Sequence, residues 1–286
     1  MSDPSERGIG KLLSCLDIEA LDSDLFLGNP GEGSGRLFGG MVAAQSVIAA
    51  GRTVDPERSL HSLHAYFLRP GQHGVPIRFV VDRIRDGRTF TTRRVKAHQG
   101  GEAIFNLSAS FARPEQGISH QYPMPDAPEP GDGLPEWESA RAKALGNSKA
   151  VRSDSALEVR LCDPLETGET GEARQRNWLR VAGTLPADPL VHTAMLVYAS
   201  DRTLLSTASR PHGLPWGKRM AASLDHAVWI HHPVRFDSWL LYVSESPIAR
   251  SARGLVFGAM YYEDGKRVAT VAQEGLIRVL RSDSDA

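Results

Sequence analysis

Cysteine is scarce in this chain: Cys15 and Cys162 stand alone among 286 residues. They lie far apart and lack C-x-x-C spacing, which argues against a disulfide scaffold or a zinc cluster. Long apolar runs are missing too. No stretch approaches the roughly 20 residues that a membrane-spanning helix needs, and the opening MSDPSERGIGKLLSCLDIEAL lacks the apolar core of a secretory signal. Charge of one sign is not concentrated anywhere: 33 basic residues balance 34 acidic ones, and no Lys/Arg block could track a phosphate backbone. Nucleic acid is therefore not an expected partner, and neither is a membrane. The motifs G-x-S-x-G, H-E-x-x-H, G-x-x-x-x-G-K-[ST] and G-x-G-x-x-G are all absent, which disfavours a nucleophile elbow, a zinc protease, a P-loop and a dinucleotide fold. GEGSG at 31–35 is too closely spaced for a dinucleotide loop and reads as a surface turn. These absences predict a soluble cytoplasmic protein that works without metal or cofactor.

What the chain does have is internal repetition. At 41% hydrophobic and 23% charged it is ordinary globular material, long enough for one large domain or two small ones. A helical pattern opening at FGGMVAAQ ends in VIAAGR, and another opening near PLVHTAML ends in VYASDR; both endings share the frame A-x-x-V-x-A-x-x-R. After the first come LHSLHAYFLRPG, PIRFVVDRIRDGRTFTTRRVKAHQ and EAIFNLSASFARPE. After the second come MAASLDHAVWIHHP, WLLYVSESPIARSARGLVFGAMYYEDGK and RVATVAQEGLIRVL. These are β-rich runs in matching order, with QGGE and EDGK as corresponding hairpin turns. Each unit has one central helix, and the first is rich in small residues (Gly39, Gly40, Ala43, Ala44, Ala49, Ala50), which suits a helix wrapped by a curved antiparallel sheet. The expected class is α+β, a double hot-dog: an N-terminal repeat over 1–113, a connector over 114–172 where Pro, Gly and charge dominate, and a C-terminal repeat over 173–286. The connector is expected to hold one short helix at Trp137–Leu145.

The two copies differ chemically at three matched places. Aligned helix ends pair Gly51 with Asp201, the strands anchored at Pro70 and Pro233 pair Leu60 with Ser223, and the hairpins anchored at Gly101 and Gly265 pair Ala109 with Gln273. Each time the first copy is inert and the second polar. Asp201 prolongs the helical stripe Val191, Ala194, Tyr198, Leu205, where an apolar side chain is expected. Ser223 is read onto a strand face with Ala221, Asp225, Ala227 and Trp229. Gln273 shares a strand face with Val271, Gly275 and Ile277, so its amide must find partners or cost roughly 1–3 kcal/mol. Taken singly, these are a solvated loop residue, a filler serine and a core amide tying off backbone; together they form a candidate site.

The segments RLFGGMVAAQ, LHSLHAYFLRPG, DGRTFTTRRV, LVHTAMLVYASDR, SLDHAVWIHHP, SARGLV and VAQEGLIR resemble the type II acyl-CoA thioesterases, the double hot-dog enzymes, in order from about residue 8 to 279. The resemblance implies a catalytic site of an Asp ending the second helix, a Ser or Thr two residues before an Asp-His pair, and the Gln of a Q-E-G run. Those positions are Asp201, Ser223 and Gln273. It further implies fatty acyl-CoA as substrate and association into dimers or tetramers.

Thioester hydrolysis needs a water deprotonated as it attacks. Asp201 suits a general base, while Ser223 and Gln273 suit orienting that water. Gly39 and Gly40, at the start of the first helix, are candidate donors to the developing oxyanion, with close helix packing as the alternative reading. Two other functions stay open: a hot-dog enoyl-CoA hydratase or dehydratase, supported by the adjacent Asp225-His226, and a non-catalytic acyl-CoA binding module. Asp225 is either a second carboxylate of the site or a partner of His226. His61 and His64 read as strand packing. His226, His231 and His232 do not have metal-ligand spacing.

Overall fold

The computed structural model describes residues 4–131, 133–146, 155–166, 168–214 and 216–280. Helix α1 (Pro4–Leu16) leads into a short hairpin, β1 (Glu19–Asp22) and β2 (Leu25–Gly28), then the first central helix α2 (Gly39–Gly51). Four strands follow, β3 (Ser59–Phe67), β4 (Ile77–Asp86), β5 (Phe90–Gln99) and β6 (Glu102–Ala112). The connector carries helix α3 (Trp137–Ala144) and strand β7 (Leu157–Leu161), which pairs with β8 (Arg174–Val181). The second central helix, α4 (Pro189–Ser200), precedes a 3₁₀ segment at Leu204–His212. Strands β9 (Arg219–Ser223), β10 (Asp225–Ile230), β11 (Leu240–Arg250), β12 (Arg253–Tyr262) and β13 (Arg267–Val279) complete the chain.

The sheet order is β1-β2-β4-β5-β6-β3-β10-β13-β12-β11-β8-β7, with β9 added against β13. Read outward from the β3–β10 pair, the two halves follow the same sequence of parts. This is the double hot-dog. The antiparallel β3–β10 ladder joins the copies into one continuous sheet, and α2 and α4 lie inside its curve. Both helices are mostly apolar because both are largely enclosed: in α2 every residue from Val42 to Ala50 is buried, and in α4 so is every residue from Ala194 to Val197. They run antiparallel and nearly touch. A Cβ on Gly40 would sit 2.6 Å from the Tyr198 carbonyl oxygen, and one on Gly51 would sit 2.5 Å from Leu190 Cδ1. α1 seals the first copy with Ile9, Leu12 and Leu16, a buried stripe at helical spacing.

Both hairpin turns fall where expected but differ in build. Gly100 and Gly101 both have positive φ, +56° and +89°, as a two-residue turn on right-twisted strands demands, whereas the EDGK turn places only Gly265 there, at +82°. The connector is a strap. Gln121 bonds the Gly265 carbonyl and the Arg267 N–H, Trp178 donates its indole N–H to the Pro128 carbonyl, and Met124, Ala127 and Leu134 cover Trp178, Leu241 and Tyr261 on the outer sheet face.

One expectation is overturned here. β9 and β10 are not a single alternating strand: Ser223 pairs with Gly275, but Ala227 pairs with Ala272, so the register slips by one residue around Leu224. The slip reverses which side chains face inward. Ser223 therefore shares its face with buried His226, not with Asp225, Ala227 and Trp229. β3 has the same irregularity between Leu60 and Ser62, so the matched positions Leu60 and Ser223 remain structural counterparts.

Candidate active site

Asp201 caps the C-terminal end of α4. Its Oδ1 accepts two hydrogen bonds, one from Ser223 Oγ at 3.1 Å and one from Gln273 Nε2 at 2.7 Å. The three side chains that differ between the copies thus converge on one atom, delivered by a helix end, by β9 and by β13. Oδ2 of the same carboxylate faces the start of α2, 3.0 Å from where a Gly39 Cβ would be. Gln273 is fully buried, and its Oε1 is an acceptor without a hydrogen-bond partner among the described residues.

A cavity of about 460 Å³ opens onto this carboxylate. Gly39, Asp201 and Ser223 stand on its walls beside Val42, Phe67, Phe105 and Leu205. The start of α2 is left open: Phe38 occupies the N-cap position and gives no side-chain hydrogen bond to the helix. The first N–H groups of a helix lack intrahelical acceptors. Gly39, which lines the cavity, and Gly40 behind it lie in that first turn.

The corresponding place in the first copy is closed by every one of these residues in turn. Counterparts of Phe38, Gly39 and Gly40 are Asp188, Pro189 and Leu190. Asp188 caps the Leu190 N–H at 2.8 Å, Pro189 has no N–H to offer, and the Leu190 side chain fills the space over Gly51. Val256, beside Gln273 in the ladder, is matched by Arg93, a buried cation fastened to Thr53 Oγ1 at 2.8 Å, the Thr53 carbonyl at 3.0 Å and Asp86 at 2.7 Å. The asymmetry seen in three residues extends to the helix caps.

Sequence reasoning missed the floor of the site. His226 is buried and its Nε2 lies 2.8 Å from Ser200 Oγ. That hydroxyl donates to the Val197 carbonyl at 2.9 Å, so it accepts from His226 and Nε2 carries the proton. Tyr242 Oη donates to the Ser200 carbonyl at 2.9 Å. Burial pushes the His226 imidazole below its ordinary pKa, against the opposing pull of Asp201 and Asp225. Asp225 is not its partner: Asp225 Oδ1 accepts the Glu274 N–H at 2.7 Å. Since the slip at Leu224 has no Gly or Pro signature, no local signal placed His226 beneath Asp201.

A neutral buried histidine makes a stability prediction. Above the ordinary imidazole value of 6.5 the ring is neutral folded and unfolded; below it the unfolded chain gains a proton that the native ring resists, so stability falls with acidification. Denaturant titrations at pH 7.5 and 5.5 are expected to show a smaller acid loss in His226→Gln than in the parent. Equal losses would exclude His226 as a contributor.

Arg202, next to Asp201, ion-pairs with buried Glu138 of α3, with its guanidinium 4.7 Å from the Trp137 ring centroid and 5.5 Å from that of Phe38. It ties the connector to both walls of the site. His61 bonds Ser110 Oγ at 2.8 Å and His64 meets Trp229 edge-on, so both pack within the sheet. Among the described residues no three His, Cys, Asp or Glu side chains form a metal-binding group, and no helix is long and apolar enough to cross a membrane.

Comparison with known proteins bears on this arrangement. The pattern of the family described as acyl-CoA thioesterase matches residues 152–276, and that of the acyl-CoA thioesterase N-terminal domain matches residues 29–112. Acyl-coenzyme A thioesterase 8 of Mus musculus is 37% identical, over 93% of this chain and 88% of its own length. Acyl-CoA thioesterase 2 of Haemophilus influenzae is 35% identical, over 94% of this chain and 98% of its own. The crystal structure of an acyl-CoA thioesterase II, TesB2, from Mycobacterium marinum superimposes with a TM-score of 0.79 at 40% identity, covering 94% of this chain and 97% of that one.

Proposed function

The chain belongs to the acyl-CoA thioesterase family and hydrolyses acyl-CoA, and from that premise we propose that Asp201 is its general base, Ser223 and Gln273 the groups that orient base and water, and fatty acyl-CoA its substrate. The observation that carries this reading is the single carboxylate oxygen held by both neutral donors while its other oxygen faces the open start of α2. A carboxylate held in this way keeps one lone-pair face directed at the cavity.

Water between Asp201 Oδ2 and the thioester carbonyl gives a proton to the carboxylate as its oxygen attacks the acyl carbon. Gln273 Oε1, a buried acceptor on the amide that donates to Asp201 Oδ1, suits the second proton of that water. The carbonyl oxygen takes up negative charge and the N–H groups of Gly39 and Gly40 stabilise it, helped by the positive end of the α2 dipole. Collapse of the tetrahedral intermediate breaks the carbon–sulfur bond, Asp201 returns the proton to the leaving sulfur, and free acid and CoA result. The apolar wall of Val42, Phe67, Phe105 and Leu205 suits a hydrocarbon acyl arm.

A hydratase would need Asp225 and His226 on one substrate face. The backbone N–H of Glu274 engages the first and Ser200 the second, on opposite faces of β10, which disfavours that reading. A binding module would not need a carboxylate aimed at a helix start. Incubation with saturated and enoyl acyl-CoAs, following free thiol and enoyl absorbance separately, tests the function: thiol release with the double bond unchanged is expected, and loss of the double bond without thiol release would overturn it. Ser223→Ala and Gln273→Ala are each expected to lower kcat by about 10²-fold, the usual worth of correct positioning, with smaller changes in KM. Parental kcat in both would remove them from the machinery.

A further inference from the structure

A second and larger cavity, about 660 Å³, lies between the connector and the 3₁₀ segment. Its walls hold an excess of donors without acceptors. Among the described residues Arg219 bonds the Leu214 carbonyl alone, at 3.0 Å, and lies 6.0 Å from the Trp216 ring centroid; Arg210 bonds the Glu172 and Asp163 carbonyls, at 3.2 and 2.9 Å. Among the described residues, neither guanidinium forms an ion pair. Ser209 Oγ and Trp137 Nε1 on the same walls are buried without a hydrogen-bond partner among the described residues.

The carboxylates on these walls have partners of their own. Asp163 is held by Arg176, Glu166 by Lys143, Glu136 by the N–H groups opening α3, and Glu169 by the Glu166 N–H. Burial pushes the Arg219 guanidinium down to about 10, and burial also lowers that of Arg210, against the opposing pull of Asp163 and Glu172. Two half-buried cations, a hydroxyl and an indole N–H around one space form a receptor for an oxyanion.

We propose that this cavity binds a phosphate group through Arg210, Arg219, Ser209 and Trp137, and that the nucleotide end of the acyl-CoA carries it. The second half rests on the reading of Asp201 as the place of thioester cleavage. Arg219 and Ser223 share one face of β9, four residues or about 13 Å apart at the usual strand rise. Leu205 and Ala221 line the catalytic cavity, while their neighbours Ser206 and Arg219 line the other. A ligand whose thioester sits at Asp201 and whose phosphates are separated from it by an extended pantetheine arm is of the right kind to reach both.

Calorimetric titration of the full chain with CoA, with pantetheine and with inorganic phosphate tests this. Arg219→Gln and Arg210→Gln are each expected to weaken CoA binding about tenfold, Arg219→Lys less, and none to change pantetheine binding. Phosphate affinity that depends on the arginines while CoA affinity does not would keep the anion site and overturn its assignment to the substrate. Affinities for both ligands that ignore the arginines would overturn the proposal entirely, as would CoA and pantetheine weakening together. Because binding is read without turnover, failure here is separable from failure of the Asp201 assignment, which an Asp201→Asn enzyme of parental activity would reveal.

Discussion

Asp201→Asn lowers turnover of acyl-CoA by about 10²–10⁴-fold, the range that a positioned general base supplies, while the protein remains folded. The replacement keeps size and shape and retains a carbonyl oxygen that can accept from Ser223 and Gln273, now 3.1 and 2.7 Å from Asp201 Oδ1. Both partners stay satisfied, so no buried donor is orphaned and the usual cost of breaking a polar cluster is avoided. What disappears is proton affinity. An amide cannot take the proton that water must lose, and its NH₂ would present donors toward Gly39 where the carboxylate presented a lone pair. Thiol release under saturating substrate, beside a thermal melt, checks both halves of the expectation. Parental kcat with an unchanged melt would show that the proton goes elsewhere.

Much of this arrangement was legible before any coordinates. The repeat could be read because matched helices and hairpins carry matched punctuation: small residues in the enclosed helix and Gly at each hairpin tip. Asp201, Ser223 and Gln273 could be read because comparison with an inert copy isolates polar residues that packing alone does not require. The register slip at Leu224 could not be read. It depends on how β9 and β10 share the edge of β13, a contact between distant parts of the chain, and it alone decides that His226 rather than Asp225 faces inward. Strand β7 was equally unread, lying in the stretch taken as connector and formed by pairing with the distant β8 and a bridge to Glu136. The Arg202–Glu138 pair joins residues 64 positions apart, and no periodicity reports such a contact. Pattern reveals what repeats within a few residues; it is silent where the partner is far along the chain.

Silence of that kind also hides what a single methyl group would do at the start of α2, and Gly39→Ala is expected to lower kcat by about 10²-fold, a loss typical of a small misplacement at a reacting centre. The new Cβ would lie 3.0 Å from Asp201 Oδ2 and 2.5 Å from Phe67 Cε1. The ring must shift into the cavity, and the methyl covers the one carboxylate oxygen that the other two side chains leave open. Stability should change little beyond the overpacking cost of about 1–3 kcal/mol, partly offset by the helix preference of Ala over Gly. Gly51→Ala supplies the comparison, since its Cβ would meet Leu190 Cδ1 at 2.5 Å, an equally tight contact at the other end of the same helix. That variant should lose a similar amount of stability and keep its kcat, because its methyl lies in the closed copy, where Asp188 and Pro189 have already removed the donors. Steady-state kinetics and melts of the two variants, run together, separate catalytic geometry from packing. Equal losses of kcat would mean that α2 acts only as a packed strut, and would remove Gly39 from the chemistry.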